Sequence, residues 1–347
     1  MTIIYFILVL GVTVLIHELG HFLFAKKAGV YCYEFSIGMG PRIFKFNRKN
    51  DETEYSIRLL PIGGFVQMAG EDLETKDDKV TSNKQMCNKK WHERFLIIVA
   101  GVVFNFILAF ILLFIVGLVN GAPINKPIIS SIDEEYPAYE TKLQSGDIIT
   151  KINDIEVKTS DRFILELQVT NGKAVELEVL HKNGKTDEVT VKPILVEING
   201  ESGYKYGFSL DNSVDKGIFN AIKFAFTKIL SLIEQMVFII FYLITGKLSL
   251  NNLAGPIGIF NIVGEAAKDG FISVIYLMGY ISVNVGFINL LPIPAFDGGR
   301  LLFLIIEKIK GKPINPNVEN IIHSIAFILL MVLMFVISYN DIMRLFK

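Results

Sequence analysis

Two histidines and a glutamate, His17, Glu18 and His21, interrupt the apolar run "VLIHELGHFLF" between Val14 and Phe24. In a helix His17 and His21 stand at i and i+4, so both imidazoles share one face about one turn apart. That spacing lets two ring nitrogens grip one zinc ion, while Glu18 projects beside them, placed to take a proton from water held there. Such a centre needs a third protein ligand and an open fourth position. The competing reading is a polar patch on a buried helix face that hydrogen-bonds its neighbours. The setting weighs against it, because a charged side chain at bilayer depth costs at least ~2.5–3.5 kcal/mol.

The third ligand is sought among acids inside apolar blocks, and the candidate is Asp297 in "GFINLLPIPAFDGGRLLFL". Pro292, Pro294, Gly298 and Gly299 break any helix around it. Broken backbone at membrane depth is tolerated only where it lines protein or a cavity, and an aspartate there is a functional candidate. The alternative is a turn aspartate that merely ends a helix.

The elements that must position these groups are apolar blocks. Of 347 residues 51% are hydrophobic, and they come in long runs, which implies a polytopic membrane protein with some soluble mass. The net charge of −1 speaks against a nucleic-acid partner. Two cysteines, Cys32 and Cys87, are too few for a disulfide framework or a thiolate metal site and are read as structural thiols.

The first block, residues 2–25, is long enough to span a bilayer and has neither a basic leader nor an A-x-A cleavage pattern, so it is read as an uncleaved span. Lys26 and Lys27 mark its cytoplasmic end, which leaves the N-terminus outside. Residues 31–70 alternate and are glycine-punctuated, with a basic turn "NRKNDE", and read as a β-hairpin. The stretch from Glu71 to Lys90 reads as solvated. A second span, about 95–119, is entered through Lys89, Lys90 and Arg94. The segment 122–212 changes character: short β-like runs and one helix, "DRFILELQVTNG", make a small soluble domain. After it, 213–347 forms a second membrane half, to match 1–120. This half holds an apolar segment at 217–247, a broken apolar region from Phe271 to Ile306 with a span at about 271–298, and a last span at about 321–338.

Topology constrains the count. His21 lies towards the cytoplasmic end of the first span, so Asp297 must lie towards the cytoplasmic end of its own segment to meet it. The soluble domain is outside after two crossings, so the Asp297 segment must run inwards. If 217–247 also crossed, Asp297 would be stranded at the outer face. The expectation is therefore four transmembrane helices, with 217–247 interfacial and both termini extracytoplasmic.

These motifs resemble the site-2 proteases, intramembrane zinc metalloproteases. "HELGH" is similar to that family's first-span motif, and "NLLPIPAFDGG" to its N-x-x-P-x-P-x-L-D-G motif, with Phe296 where leucine is usual. "FSIGMGP" (35–41) and "LAGPIGI" (253–259) also resemble family segments. "FLIIVAGVVFN" (95–105) resembles an A-G-P-x-x-N pattern with Val102 in place of proline, and "LQSGDIITKINDIEV" (143–157) is similar to a bacterial PDZ domain. The combination most resembles the bacterial regulators of σ-factor activation that carry PDZ modules.

The resemblance implies that His17, His21 and Asp297 bind one Zn2+, that Glu18 is the general base, and that Asn289 binds the scissile segment or stabilises the oxyanion. Candidate substrate-binding residues are Gly38, Gly40, Gly63 and Gly64 of the hairpin, with Asn105, Pro292 and Pro294. The hairpin would be membrane-associated and hold an unwound substrate by strand addition; a plain cytoplasmic hairpin is the alternative. The PDZ-like domain is either a size filter or a binder of peptide ends. Of the other histidines, His92 reads as an interfacial anchor, His181 as exposed, and His323 as the start of the last span. Glu265 and Lys268 belong to an outer-face helix.

The expected fold is thus a polytopic α-helical membrane protein with a membrane-associated β-hairpin and an inserted α+β PDZ-like domain, in a bacterial cell membrane. The expected function is a zinc-dependent intramembrane endopeptidase acting on single-span membrane proteins, such as pre-trimmed anti-σ factors or remnant signal peptides. The alternatives are a membrane metal-binding scaffold or transporter that recruits partners through the PDZ domain, and an inactive relative acting as a chaperone.

Overall fold

A computed structural model describes residues 1–71, 80–198, 201–312 and 314–345. The chain divides into two compact units, Met1–Leu112 with Leu250–Lys347, and Leu113–Ser249.

The first unit begins with α1 (Thr2–Lys27), whose apolar run ends in the two lysines of its last turn and a left-handed Gly29. The hairpin follows as β1 (Cys32–Asn47) and β2 (Glu54–Met68), an antiparallel pair. Both strands bend in the middle, where Gly38, Gly40 and Gly63 take positive φ. The bend lets residues 34–37 partner both 54–57 and 64–67, so the hairpin makes a curled sheet whose 64–68 segment is an edge. A buried carboxylate fixes this curl: Glu34 accepts two hydrogen bonds from the Arg58 Nη2 at 2.9 and 3.1 Å, one from Arg42 at 3.0 Å, and one from Ser56.

The hairpin lies along α1. At one end, Lys26 donates to Asp51 at 2.7 Å and to Glu52 at 2.8 Å, and at the other Gly11 approaches the Pro61 carbonyl so closely that a Cβ would stand 3.0 Å from it. Gly11 and Lys26 are about 22 Å apart at 1.5 Å per residue. Ile43, Phe44, Leu59 and Leu60 along the hairpin are exposed. The segment expected to be solvated is exposed at 81–84, 88 and 90 but packs back at three residues. Residues 72–79 lie outside the described residues, but Val80, Gln85 and Met86 are buried, and Met86 N–H donates to the Ala69 carbonyl at 2.7 Å.

Helix α2 (Trp91–Asn120) crosses α1 at two glycines: a Cβ on Gly20 would meet the Ala100 carbonyl oxygen at 2.5 Å and the Gly101 Cα at 3.0 Å. Small residues at such a crossing let two backbones approach, as in membrane helix pairs.

The second unit contains, after the end of α2, β3 (Ala122–Pro123), β4 (Ile129–Ile132), β5 (Ile148–Ile152), β6 (Ile155–Glu156), α3 (Ser160–Val169), β7 (Val175–Leu180), β8 (Thr186–Val191), β9 (Ile194–Ile198), β10 (Glu201–Lys205), β11 (Phe208–Leu210) and β12 (Val214–Asp215). The main sheet has the order β6-β5-β7-β8, and β11 pairs with β4. Alternating Val175, Leu177 and Val179 close a core with Ile149, Ile152 and Phe163. The β9–β10 pair lies outside the β-like runs expected from the sequence. His181 is not exposed but 9% accessible, held between Asp147 at 2.8 Å and Asp187 at 3.4 Å.

This unit also contains α4 (Ile218–Ile244), which the sequence grouped with the second membrane half. Polar side chains account for the difference. Lys228 donates to Asp161 at 2.7 Å and Ser231 to Asp161 at 2.8 Å, while Tyr242 donates to Glu166 at 2.6 Å and accepts from Arg162 at 3.2 Å. Leu165 packs with Tyr242 and Leu248 in an apolar cluster beside them.

The first unit resumes with α5 (Pro256–Asp269), α6 (Phe271–Leu290), α7 (Asp297–Lys310) and α8 (Pro316–Leu345). Phe260 of α5 meets Phe6 of α1 edge-on, with ring centroids 5.4 Å apart, and a Cβ on Gly264 would stand 3.1 Å from Thr2, so α5, which leads into α6, packs on the N-terminal end of α1. Asp341, beyond the expected last span, is a second buried acid in an apolar block: it is 4% exposed and accepts from Gly258 N–H at 2.9 Å, at the start of α5. The glycines of "LAGPIGI" make that approach possible, since a Cβ on Gly255 would meet its carboxylate at 2.7 Å.

Among the described residues five helices are long and apolar enough to cross a membrane: α1, α2, α4, α6 and α8. They fit a membrane protein, with one candidate more than the four expected.

Candidate active site

His17 and His21 face α2 from consecutive turns of α1, both buried. Their approach depends on Gly101, where a Cβ would lie 2.3 Å from His21 Nε2 and 2.8 Å from His17 Cε1. His21 Nδ1 donates to the Ile97 carbonyl at 2.8 Å, which leaves its Nε2 bearing a lone pair in the neutral ring. Asp297 enters from the first residue of α7. The loop before it folds onto that first turn, because Gly298 and Gly299 leave the Leu290, Leu291 and Ile293 carbonyls room that a Cβ would fill at 2.2–2.5 Å.

The three donor atoms form a tight triangle. Asp297 Oδ2 stands 3.0 Å from His17 Nε2 and 3.2 Å from His21 Nε2, and the two Nε2 atoms are 3.2 Å apart. Asp297 Oδ2 is buried without a well-directed hydrogen bond among the described residues. A tetrahedral ion with bonds of about 2.0–2.1 Å separates its ligands by about 3.3 Å, so this two-nitrogen, one-oxygen set fits a zinc ion. Among the described residues it is the one cluster of three or more such groups able to hold a metal.

A cavity of about 750 Å³ opens beside the triangle. Glu18 lines it, and so do Asn289, the β2 edge residues Phe65, Val66 and Met68, and the α8 residues His323 and Phe327. Of the expected substrate residues, Gly64 stands against Glu18, with a Cβ there 3.7 Å from Glu18 Cγ. Gly38, Gly40 and Gly63 sit at the hairpin bend and do not line the cavity. Pro292 and Pro294 shape the loop before Asp297, but Ala295 and Phe296 are the loop residues that face the cavity. Asn105 is fully buried beside His17 rather than exposed towards a substrate.

The hairpin was expected to hold substrate by strand addition, but that its 64–68 segment is the part beside the cavity was not legible in its period-two pattern. Two contributors were missed. Ala295 holds φ at 111°, a conformation that costs a non-glycine residue on the order of 1–3 kcal/mol, and its N–H donates to His323 Nδ1 at 3.2 Å. Arg300, one turn after Asp297, pairs with Glu71 at the cavity wall.

The family model described as "Peptidase family M50" matches residues 5–333. The chain belongs to peptidase family M50. It is 34% identical to the zinc metalloprotease RasP of Bacillus licheniformis, with 99% of each chain covered, and 33% identical to the regulator of sigma-W protease RasP of Bacillus subtilis, again with 99% of each covered. A putative zinc metalloprotease of Clostridium acetobutylicum is 35% identical, over 97% of this chain and 96% of that one. A solved PDZ domain of an SdrC-like protein from Listeria monocytogenes covers 25% of this chain and 88% of that one, at 24% identity and a TM-score of 0.21, a likeness too low to carry an argument about the fold.

Proposed function

We propose that this M50 member is a zinc-dependent intramembrane endopeptidase that cleaves single-span membrane proteins. One observation carries the reading: three metal-competent donor atoms converge within 3.0–3.2 Å beside a carboxylate and a strand edge, on a cavity large enough for an extended peptide. His17, His21 and Asp297 would hold the ion. When bound, zinc supplies a Lewis acid that makes water acidic near neutral pH and polarises a carbonyl. Glu18, on the cavity wall, takes the proton of the attacking water and returns it to the leaving amine. Asn289 donates its amide to the scissile carbonyl. The 64–68 edge of β2 accepts an unwound substrate as an added strand, which frees carbonyls that a helix would shield.

The four-span topology is supported by helix directions within the first unit. Helix α5, which leads directly into α6, packs on the N-terminal end of α1 through Phe260 against Phe6 and Gly264 against Thr2, while Asp297, beyond the far end of α6, meets His17 and His21. So α6 runs in the same sense as α1, and α2, pairing Ile97 with His21 and Asn105 with Ser282, returns antiparallel to them. A single crossing by α4 would reverse α6. The α4 face that carries Lys228 and Tyr242 is satisfied by a polar domain instead of lipid, which favours an interfacial α4 and an extracytoplasmic PDZ-like domain. The hairpin's run of about 22 Å along α1, with apolar side chains exposed, supports its place at membrane depth.

The test is cleavage of a tagged single-span reporter in membranes by wild type and Glu18→Gln. The variant should keep its zinc and lose the product. Equal product from both would remove Glu18 as the base, and no product from zinc-loaded wild type across several pre-trimmed reporters would remove the protease reading.

A further inference from the structure

The proposed function leaves Asn105 without a task. It lies on α2, fully buried, with its side-chain amide 3.2 Å from His17 Nδ1. Ser282 of α6, equally buried, donates through Oγ to the Asn105 backbone carbonyl at 2.8 Å, and Gly286 one turn on leaves space that a Cβ would close to 3.3 Å from Asn105 Cβ. Three helices therefore meet around this one buried side chain, which does not line the cavity.

The chemistry of His17 says what the amide does. A neutral imidazole carries one N–H, and the nitrogen opposite the proton holds the lone pair. With Asn105 Nδ2 against Nδ1, the ring proton would sit on Nε2, pointing at the His21 Nε2 and Asp297 Oδ2 positions 3.2 and 3.0 Å away, and no lone pair would face that point. No described residue donates to Asn105 Oδ1, so nothing in the surroundings holds the amide in that sense. The two ends of an amide have the same shape, and the network decides between them. With the oxygen turned to Nδ1, His17 takes the same tautomer that the Ile97 carbonyl imposes on His21.

We infer that Asn105 is the positioning residue of His17: its amide oxygen accepts the Nδ1 proton and so aims the Nε2 lone pair at the point shared with His21 and Asp297. The inference rests on the metal-centre reading. It makes α2 the common source of both ligand tautomers, one from a backbone carbonyl and one from a side chain. Losing such an outer partner typically weakens a metal site by about 10–100-fold.

The experiment is zinc release from the purified full chain into excess chelator, comparing wild type, Asn105→Leu and Asn105→Asp. Leucine keeps the volume and suits the apolar surroundings but cannot accept the proton; aspartate can only accept. The orienting role predicts at least about tenfold faster release from Asn105→Leu and near-wild-type release from Asn105→Asp. A packing role predicts near-wild-type release from both variants, since both keep the volume. Leucine holding zinc like wild type, or aspartate losing it as fast as leucine, overturns the inference. Should a variant fail to fold, ¹⁵N-histidine spectra of the zinc-loaded wild type decide: a protonated Nδ1 on His17 supports the assignment, and a metal-shifted Nδ1 overturns it. Wild type that takes up no zinc defeats the metal-centre reading itself, an outcome distinct from both.

Discussion

Gly101 and His21 leave no room for a side chain between them: a Cβ on Gly101 would lie 2.3 Å from His21 Nε2. The imidazole pair is therefore seated directly on the backbone of α2, and the glycine in "VAGVV" belongs to the site as much as the histidines do.

Gly101→Ala should displace both rings and abolish zinc retention while leaving the chain in the membrane. The added methyl also overpacks a helix crossing, a change that costs typically 1–3 kcal/mol. Zinc content by elemental analysis of the purified protein, set against its melting temperature, separates loss of the site from loss of the fold.

The β2 edge should hold substrate as a strand. In a Cys87→Ser background, Phe65→Cys should form disulfides with single cysteines placed along a reporter near its cleaved bond, and the yield should alternate with a period of two, because successive strand residues face opposite ways. Uniform yield, or none, would mean that the substrate does not pair with this edge.

Tyr242 joins Glu166 and Arg162 in one buried network, with Arg162 6% and Glu166 4% exposed. Tyr242→Phe removes a hydroxyl that serves two charged groups, and hydrogen bonds to charges are worth about 1.5–3 kcal/mol each. Faster proteolysis or hydrogen exchange at α3 and in the second half of α4 should follow, with zinc binding unchanged.

His181 gives the soluble domain a pH response. The hydrogen bond to Asp147, aided by Asp187, raises its pKa above the usual 6.5, so the folded state binds the proton more tightly than the unfolded one. Its stabilisation is complete below about pH 6.5 and is lost as pH rises through the raised value. The melting temperature of wild type should therefore exceed that of His181→Gln at about pH 5.5, and the gap should close as the pH rises through the raised value.

What the amino-acid order determined alone is local. The i, i+4 spacing of His17 and His21, the apolar lengths of α1, α2, α6 and α8, the period-two hairpin, and the proline and glycine break before Asp297 all follow from rules that act within a turn or a strand. Tertiary structure decided what depends on distant partners. Asp297 becomes the companion of His17 only because glycines at 20, 101, 298 and 299 admit close backbones. Asn105 turns from a substrate contact into a buried neighbour of His17 because α1, α2 and α6 converge on it. Helix α4, apolar enough for a span by composition, carries Lys228 and Tyr242 to partners on α3 that no window of its own sequence contains. The burial of Asp341 is illegible in the sequence for the same reason, since the group it accepts from is a Gly258 N–H more than eighty residues earlier in the chain.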